Sequence, residues 1–287
     1  MPIHRLVATA IEKPWGRTDI PSHIAANDGS RIGEVWFSPE GGINLPLLVK
    51  YIFTSENLSV QVHPNDEQAQ QHGMSGGKSE CWYVLDAAPD ARLGIGTCQD
   101  LTSEELRAAA LDGSIETLME WKPVKPGSFY YIPAGTVHAI GGGVTLVEIQ
   151  QNNDVTYRLY DYGRPRELHL DQGVAVSVAE PYGLPDRIIA VTAEERLVDS
   201  GAPFTLDIVQ GQAQTCRQLK GEMSWFIPLG GAGTLNGESW RPGECWLVEG
   251  EATIEIVEQM SALLAQPMPS AAQQIDIPSL PRRVVGG

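Results

Sequence analysis

Alternation of apolar and polar positions is the recurring signal along this chain. Between Leu58 and His63, apolar Leu58, Val60 and Val62 alternate with Ser59, Gln61 and His63. That is the period of a strand, and it sends Gln61 and His63 to the same side. Further strands are expected over 34–38, 46–53, 79–86, 128–133, 143–151 and 154–161. Helical periodicity is scarce. A short helix fits 65–72, after Pro64. A second fits 102–111, with Thr102 as N-cap, Glu105 completing a capping box and Gly113 past the end. Residues 114–120 add a turn or two.

A second block of strand-like segments occupies 204–209, 224–229, 232–235, 244–249 and 252–257. The connector Ala179-Glu-Pro-Tyr-Gly-Leu-Pro185 between the blocks is rich in turn residues. Lys125-Pro-Gly-Ser-Phe-Tyr-Tyr-Ile132 in the first block is echoed by Arg241-Pro-Gly-Glu-Cys-Trp-Leu-Val248 in the second. Each is a Pro-Gly turn feeding an apolar strand. Two related β-barrels, one functional and one stripped, would produce that echo. The expected organisation is an all-β chain with one domain over 1–180, a second over 185–265, and a proline-rich, loose tail over 266–287.

Composition agrees with this picture. Among 287 residues there are 30 glycines and 20 prolines, which suits short strands and tight turns. Twenty Lys and Arg stand against 36 Asp and Glu, a net charge of −16. Such a field repels phosphate backbones and anionic membranes, so neither nucleic acid nor a membrane is an expected partner. A small anionic substrate needs only a local basic pocket and stays open. No apolar run approaches the roughly 20 residues of a transmembrane helix. The opening MPIHRLVATAIEKPWG lacks a basic start followed by an apolar core, so no signal peptide is read. Cys81, Cys98, Cys216 and Cys245 form no Cys-x-x-Cys pair and read as reduced, mostly buried thiols of a cytoplasmic protein.

Four polar residues stand out because each lies on a strand or at a strand end: Gln61, His63, Glu80 and His138. Two imidazoles and a carboxylate are a common set of metal ligands, and a neighbouring amide oxygen completes it. On spacing alone, a metal site and ordinary strand histidines are both open. His4, His23, His72 and His169 are left as ordinary histidines.

The surrounding pattern tips the balance. Gly127-x5-Pro133-x-Gly135-x2-His138 resembles the second cupin signature. Gln61-Val-His63, with Glu80 seventeen residues after His63, resembles the variant first signature of type I mannose-6-phosphate isomerases, in their compact bacterial form. The resemblance extends over Lys13-Pro-Trp-Gly16, Ile32-Gly-Glu-Val-Trp36, Pro46-Leu-Leu-Val-Lys50, Leu58-Ser-Val-Gln-Val-His-Pro64, Gly77-Lys-Ser-Glu-Cys-Trp-Tyr83 and Glu148-Ile-Gln-Gln-Asn-Asn-Asp-Val-Thr-Tyr-Arg158, then Asp161-Tyr-Gly-Arg164. It covers most of residues 13–173.

The resemblance implies two cupin-like, jelly-roll barrels with a few short helices. Only the first would bind metal, since 185–287 contains no His. It implies one zinc per chain, or another divalent ion, on Gln61, His63, Glu80 and His138. It implies reversible isomerisation of mannose 6-phosphate and fructose 6-phosphate through an enediol, with Lys78, Glu148, Asp154 and Arg158 around the sugar phosphate. Such chemistry needs Lewis-acid polarisation, a base near C1 and C2, and a cationic clamp. Lys78 shares a strand side with Glu80, where a neighbouring metal would favour its neutral amine; it is a base or a phosphate contact. Glu148 is the competing base or a supporting partner. Arg158 offers a planar cation to phosphate or enediolate, and a strand over 154–158 would set it beside Asp154. Arg164, Arg166 and Lys50 are in reserve. Larger family members carry a His, assigned to ring opening, where this chain has Gly77. The competing readings are a metal-dependent oxygenase and a catalytically inactive sugar-phosphate-binding regulator.

Overall fold

The computed structural model describes residues 2–26 and 28–268. Every pairing between its strands is antiparallel. The expected all-β class is borne out: three sheets of seven, five and eight strands carry the fold, with four short helices among the described residues. No helix among them is long and apolar enough to cross a membrane.

The seven-stranded sheet is the middle layer. It runs in the order Arg187–Ile188, Ser128–Ile132, Glu80–Ala87, Val144–Gln151, Leu47–Phe53, Ile32–Ser38 and Val7–Arg17. Alternate residues leave it in opposite directions. Val35, Val49, Tyr51, Cys81, Tyr83, Val147 and Ile149 pack with Leu206, Trp225, Ile227, Leu247 and Leu263 of the eight-stranded sheet. Ile52, Trp82, Val84, Tyr130, Ile132 and Leu146 face the other way, onto Leu93, Ile95 and Ile140 of the five-stranded sheet. Both faces are therefore buried, and that is why Leu47–Phe53 reads as a near-continuous apolar run.

The five-stranded sheet runs Tyr157–Tyr160, Val60–Val62, His138–Ile140, Arg92–Thr97, Met119–Pro123. Its outer face, including Val60, Val62 and Ala139, is covered by three helices at Ser103–Asp112, Ile115–Leu118 and Leu170–Val176. Its inner face carries Gln61 and His138, which lie directly opposite each other. The helix Ser103–Asp112 has the expected capping box, with Thr102 and Glu105 bonded reciprocally and Gly113 left-handed at its end. The helix Leu170–Val176 was not expected; Gly173 interrupts its pattern, because a Cβ there would press 2.7 Å from the Leu159 side chain.

The eight-stranded sheet contains Met223–Leu235 and Ala252–Pro267, long strands that bend at register shifts near Gly230 and Ala232. The segments expected separately at 224–229 and 232–235 are thus one strand. Pro267 also ends a strand, so 266 and 267 are not part of a loose tail; residues 269–287 lie outside the described ones. The echoed Pro-Gly turns match in conformation. Gly127 and Gly243 have φ of +88° and +87°, and the Ser128 and Glu244 amides donate back to the Lys125 and Arg241 carbonyls, the type II geometry that needs glycine third. The strand Ile3–Arg5 does not join the nearby strands of the first block. It pairs with Trp246–Glu249 in the eight-stranded sheet.

Candidate metal centre

Between the five-stranded and seven-stranded sheets His63, Glu80 and His138 converge. Their ligand atoms all lie within 4.8 Å of one another, and all three residues are buried. Strand geometry delivers them. Gln61 and His138 are cross-strand partners on the inner face of the five-stranded sheet, and His63 follows two residues after Gln61. Glu80 opens the strand Glu80–Ala87 of the opposing sheet. The left-handed Gly135 (φ +92°) turns the chain so that its amide reaches the His63 carbonyl at 2.8 Å, just ahead of His138.

Each imidazole is oriented by its second nitrogen. His63 Nδ1 donates to the Val155 carbonyl at 2.8 Å, and His138 Nδ1 to the Thr136 carbonyl at 2.9 Å. Both Nε2 lone pairs then face the cluster. Burial first, and Lys78 with it, keeps both rings neutral, His63 well below the usual range and His138 at about 4. Glu80 is pushed up to about 7 by burial and then by the Glu148 carboxylate. Its Oε1, 3.5 Å from His138 Nε2, is buried without a hydrogen-bond donor. Gln61 turns Nε2 toward His138 Nε2 at 3.2 Å and Oε1 toward the Ser59 hydroxyl; rotating the amide would present the oxygen instead. Two neutral imidazoles, an unpartnered carboxylate oxygen and an adjacent amide fit a divalent cation.

A cation already touches this set. The Lys78 ammonium donates to Glu80 Oε2 at 2.5 Å and to His63 Nε2 at 2.9 Å, and the side chain is buried. Next to it runs a polar row that sequence reasoning had only partly picked out. Trp36, Lys50, Glu148, Trp82 and Tyr130 lie opposite one another across five adjacent strands. Lys50 Nζ stands 3.3 Å from Glu148 Oε1 and 4.6 Å over the Trp36 ring, while the Trp82 indole donates to Glu148 Oε2 at 3.1 Å. Burial works to raise Glu148, but Lys50, Lys78 and the Trp82 bond outweigh it and hold the carboxyl low. Lys50 is pulled down by burial and, more strongly, up by Glu148, Glu34, Asp154 and Glu80. Lys50, a reserve candidate from the sequence, stands in an apolar run, and the cross-strand register with Glu148 is what reveals it.

Asp154 and Arg158 sit differently from expectation. The strand there begins only at Tyr157, so the shared-face argument for the two fails. Asp154 is 67% exposed and lies 3.9 Å from Lys50. Arg158 is the cross-strand partner of Gln61, but its guanidinium donates to the Glu167 carbonyl at 2.7 Å, and its Nε is buried without an acceptor. Burial and then Arg166 hold it below the usual arginine range. Arg164 and Arg166 both pair with Asp161, at 3.1 and 2.6 Å. Gly77 leaves no space for a side chain. A Cβ would lie 2.6 Å from Asn65 C, 2.7 Å from Asp66 N and 2.8 Å from Pro64 O.

No protein-family model matches the chain. The chain is 43% identical to the mannose-6-phosphate isomerase ManA of Bacillus subtilis over 172 residues, 55% of this chain and 54% of that protein. It is 39% identical to the mannose-6-phosphate isomerase of Streptococcus mutans over 166 residues, 55% and 52% of the two chains. The chain thus spans about half the length of the curated relatives it matches. Among solved structures, the Bacillus subtilis mannose 6-phosphate isomerase superposes with a TM-score of 0.71 at 24% identity, over 91% of this chain and 98% of that one. A putative mannosephosphate isomerase from Archaeoglobus fulgidus gives 0.70 at 19%, over 93% and 98%. A zinc-bound mannose 6-phosphate isomerase gives 0.67 at 14%, over 93% and 100%. These structures share the fold, and the resemblance read from the sequence is borne out.

Proposed function

We propose that this chain is a metal-dependent aldose–ketose isomerase that interconverts mannose 6-phosphate and fructose 6-phosphate. One observation carries the reading: four potential ligands, Gln61, His63, Glu80 and His138, gather beside a buried lysine whose ammonium donates to two of those ligands. The 39–43% identity to proteins named for this activity supports the choice of substrate. One divalent ion per chain, zinc by the donor set, would be held by the four, and when bound it would supply Lewis-acid polarisation of the substrate carbonyl.

The chain's own groups divide the remaining work. The single lone pair of His63 Nε2 cannot serve a metal and the Lys78 ammonium at once, whereas Glu80 could offer its unpartnered Oε1 to the metal and keep Lys78 on Oε2, so a bound metal would leave Lys78 directly beside it. We therefore assign Lys78 as the base. Its amine takes the proton from C2, the C–H electrons form the C1–C2 double bond, and the carbonyl π electrons move to the C1 oxygen, which leaves an enediolate. The C2 hydroxyl proton passes to that C1 oxygen, and as the C2 oxygen's electrons close the new carbonyl, the double-bond electrons take the proton back from Lys78 onto C1, which completes the ketose. Glu148 is the weaker candidate, because Lys50 and Trp82 already occupy its oxygens; its role is to hold Lys50. Arg158 and Asp154, toward the rim, are assigned to the sugar phosphate. Residues 1–180 would carry the chemistry and 185–265 a degenerate second barrel without a histidine. The four free cysteines, of which Cys81 and Cys245 are buried but Cys98 and Cys216 are exposed rather than buried as expected, suit a cytoplasmic enzyme.

The test is coupled turnover of mannose 6-phosphate with metal analysis of the same preparation. About one divalent ion per chain and chelator-sensitive turnover are expected, and His138→Ala should lose both. A folded, metal-loaded protein that converts neither sugar phosphate would refute the assignment.

A further inference from the structure

The candidate ligands come from two different sheets. Gln61 and His138 belong to the five-stranded sheet and Glu80 to the seven-stranded one, and no strand pairing joins the strand Val60–Val62 to Glu80–Ala87 among the described residues. Ladder hydrogen bonds fix spacing within a sheet, not between sheets. Something else must set the distance from His63 to Lys78 and Glu80.

The main chain of 77–79 is held by three consecutive amides. The Lys78 amide donates to the Pro64 carbonyl at 3.0 Å. On either side the acceptors are side chains: the Gly77 amide donates to Asp66 Oδ1 at 2.7 Å, and the Ser79 amide to Gln151 Oε1 at 2.9 Å. Those two side chains are joined, since Gln151 Nε2 donates to the same Asp66 Oδ1 at 2.9 Å. Gln151 is further fixed by its own amide, bonded to the Ser79 carbonyl at 3.0 Å. Asp66 lies three residues after His63, and Glu80 one residue after Ser79. The absence of a side chain at Gly77 lets the two backbones close to within these bonds.

We infer that Asp66 and Gln151 form a latch between the sheets, and that they are positioning residues that set the separation of His63 from Lys78 and Glu80. The inference rests on the metal reading of the cluster and extends it to two residues that touch none of the ligand atoms. The physical requirement is an acceptor, not a charge. An amide oxygen has two lone pairs and can receive both the Gly77 and Gln151 donors as a carboxylate does.

The test is zinc titration of the zinc-free protein against a competing chromogenic chelator, with the melting temperature of each zinc-free variant measured alongside. Asp66→Ala should weaken zinc binding about 10–100-fold, as loss of an outer support does at other metal centres. Asp66→Asn should stay within about threefold of wild type, because the acceptor is kept. Gln151→Ala should weaken binding similarly and carries the test if Asp66→Ala does not fold. The two losses should fall short of adding in the double variant, since the residues act as one unit. A lower melting temperature with unchanged zinc affinity would make the pair merely structural and overturn the inference. So would Asp66→Asn behaving like Asp66→Ala. Wild-type protein that binds no zinc would instead bring down the metal reading and the latch together.

Discussion

Replacing Lys50 by methionine would test the buried pair at the centre of the polar row. Methionine keeps an unbranched apolar stem over Trp36 and removes only the charge. Lys50 and Glu148 are about 5% exposed at the side chain and 3.3 Å apart. Glu148 would then keep the Trp82 donor and the more distant Lys78, but lose its ion-pair partner. Leaving one buried charge uncompensated costs roughly 3–5 kcal/mol. The carboxylate has an escape, because it can take up a proton. From an ordinary glutamate value near 4.3, protonation at pH 7 costs about 4 kcal/mol, and at pH 5 only about 1 kcal/mol. The destabilisation should therefore be close to 4 kcal/mol at pH 7 and shrink toward 1 kcal/mol at pH 5. Lys50→Met combined with Glu148→Gln should recover most of the loss, since neither partner is then stranded. Urea unfolding followed by tryptophan fluorescence at both pH values reads this directly. A single variant within about 1 kcal/mol of wild type at pH 7, or a penalty that does not fall at pH 5, would refute the reasoning.

Arg158→Lys should fold and load metal as the wild type does. Because the guanidinium is anchored on the Glu167 carbonyl rather than on the cluster, steady-state kinetics should show a raised KM for the sugar phosphate with a smaller change in kcat; unchanged constants would make the residue a bystander. Tyrosine ionisation should be delayed: burial pushes Tyr130 up to about 12 and also raises Tyr51, Tyr162 and Tyr182. The folded state then holds protons that the unfolded chain releases near 10, so stability is intact below about pH 10 and falls as the pH rises toward 12. Absorbance at 295 nm against pH, run with thermal melts at pH 9 and 11, checks both; early ionisation with the fold intact would contradict it.

What could be read from the sequence follows from which forces act locally. The capping box at Thr102 and Glu105 and the alternation from Leu58 to His63 are short-range patterns; the box appears where expected, and the strand forms within the alternating segment but is confined to Val60–Val62. The strand Val7–Arg17 was missed because it is an edge strand, and its exposed Val7-Ala8-Thr9-Ala10 has no buried face to impose alternation. Lys50 and the latch residues Asp66 and Gln151 owe their meaning to register between segments tens of residues apart, which no local pattern encodes. Asp154 went astray for the opposite reason. A periodicity that does exist at 157–160 was extended three residues too far, into a loop where the Asn153 side chain bonds the Val155 amide and the Gly76 carbonyl.

The strand Ile3–Arg5 also bears on how the protein is made. It pairs with Trp246–Glu249, and Arg5 reaches Glu244, 239 residues further along the chain. At typical synthesis speeds of about 5–20 residues per second, its partner leaves the ribosome roughly ten to fifty seconds after it does. The strands of the seven- and five-stranded sheets, all within residues 7–188, pair with one another and can fold during that time. The clasp cannot. For that interval the nascent chain carries an unpaired strand beside Leu6, an apolar residue buried only in the finished fold, which is the kind of segment a chaperone would hold. Closure of the clasp is then a late event, tying the segment that leads into the seven-stranded sheet to the eight-stranded sheet only when translation has passed residue 249.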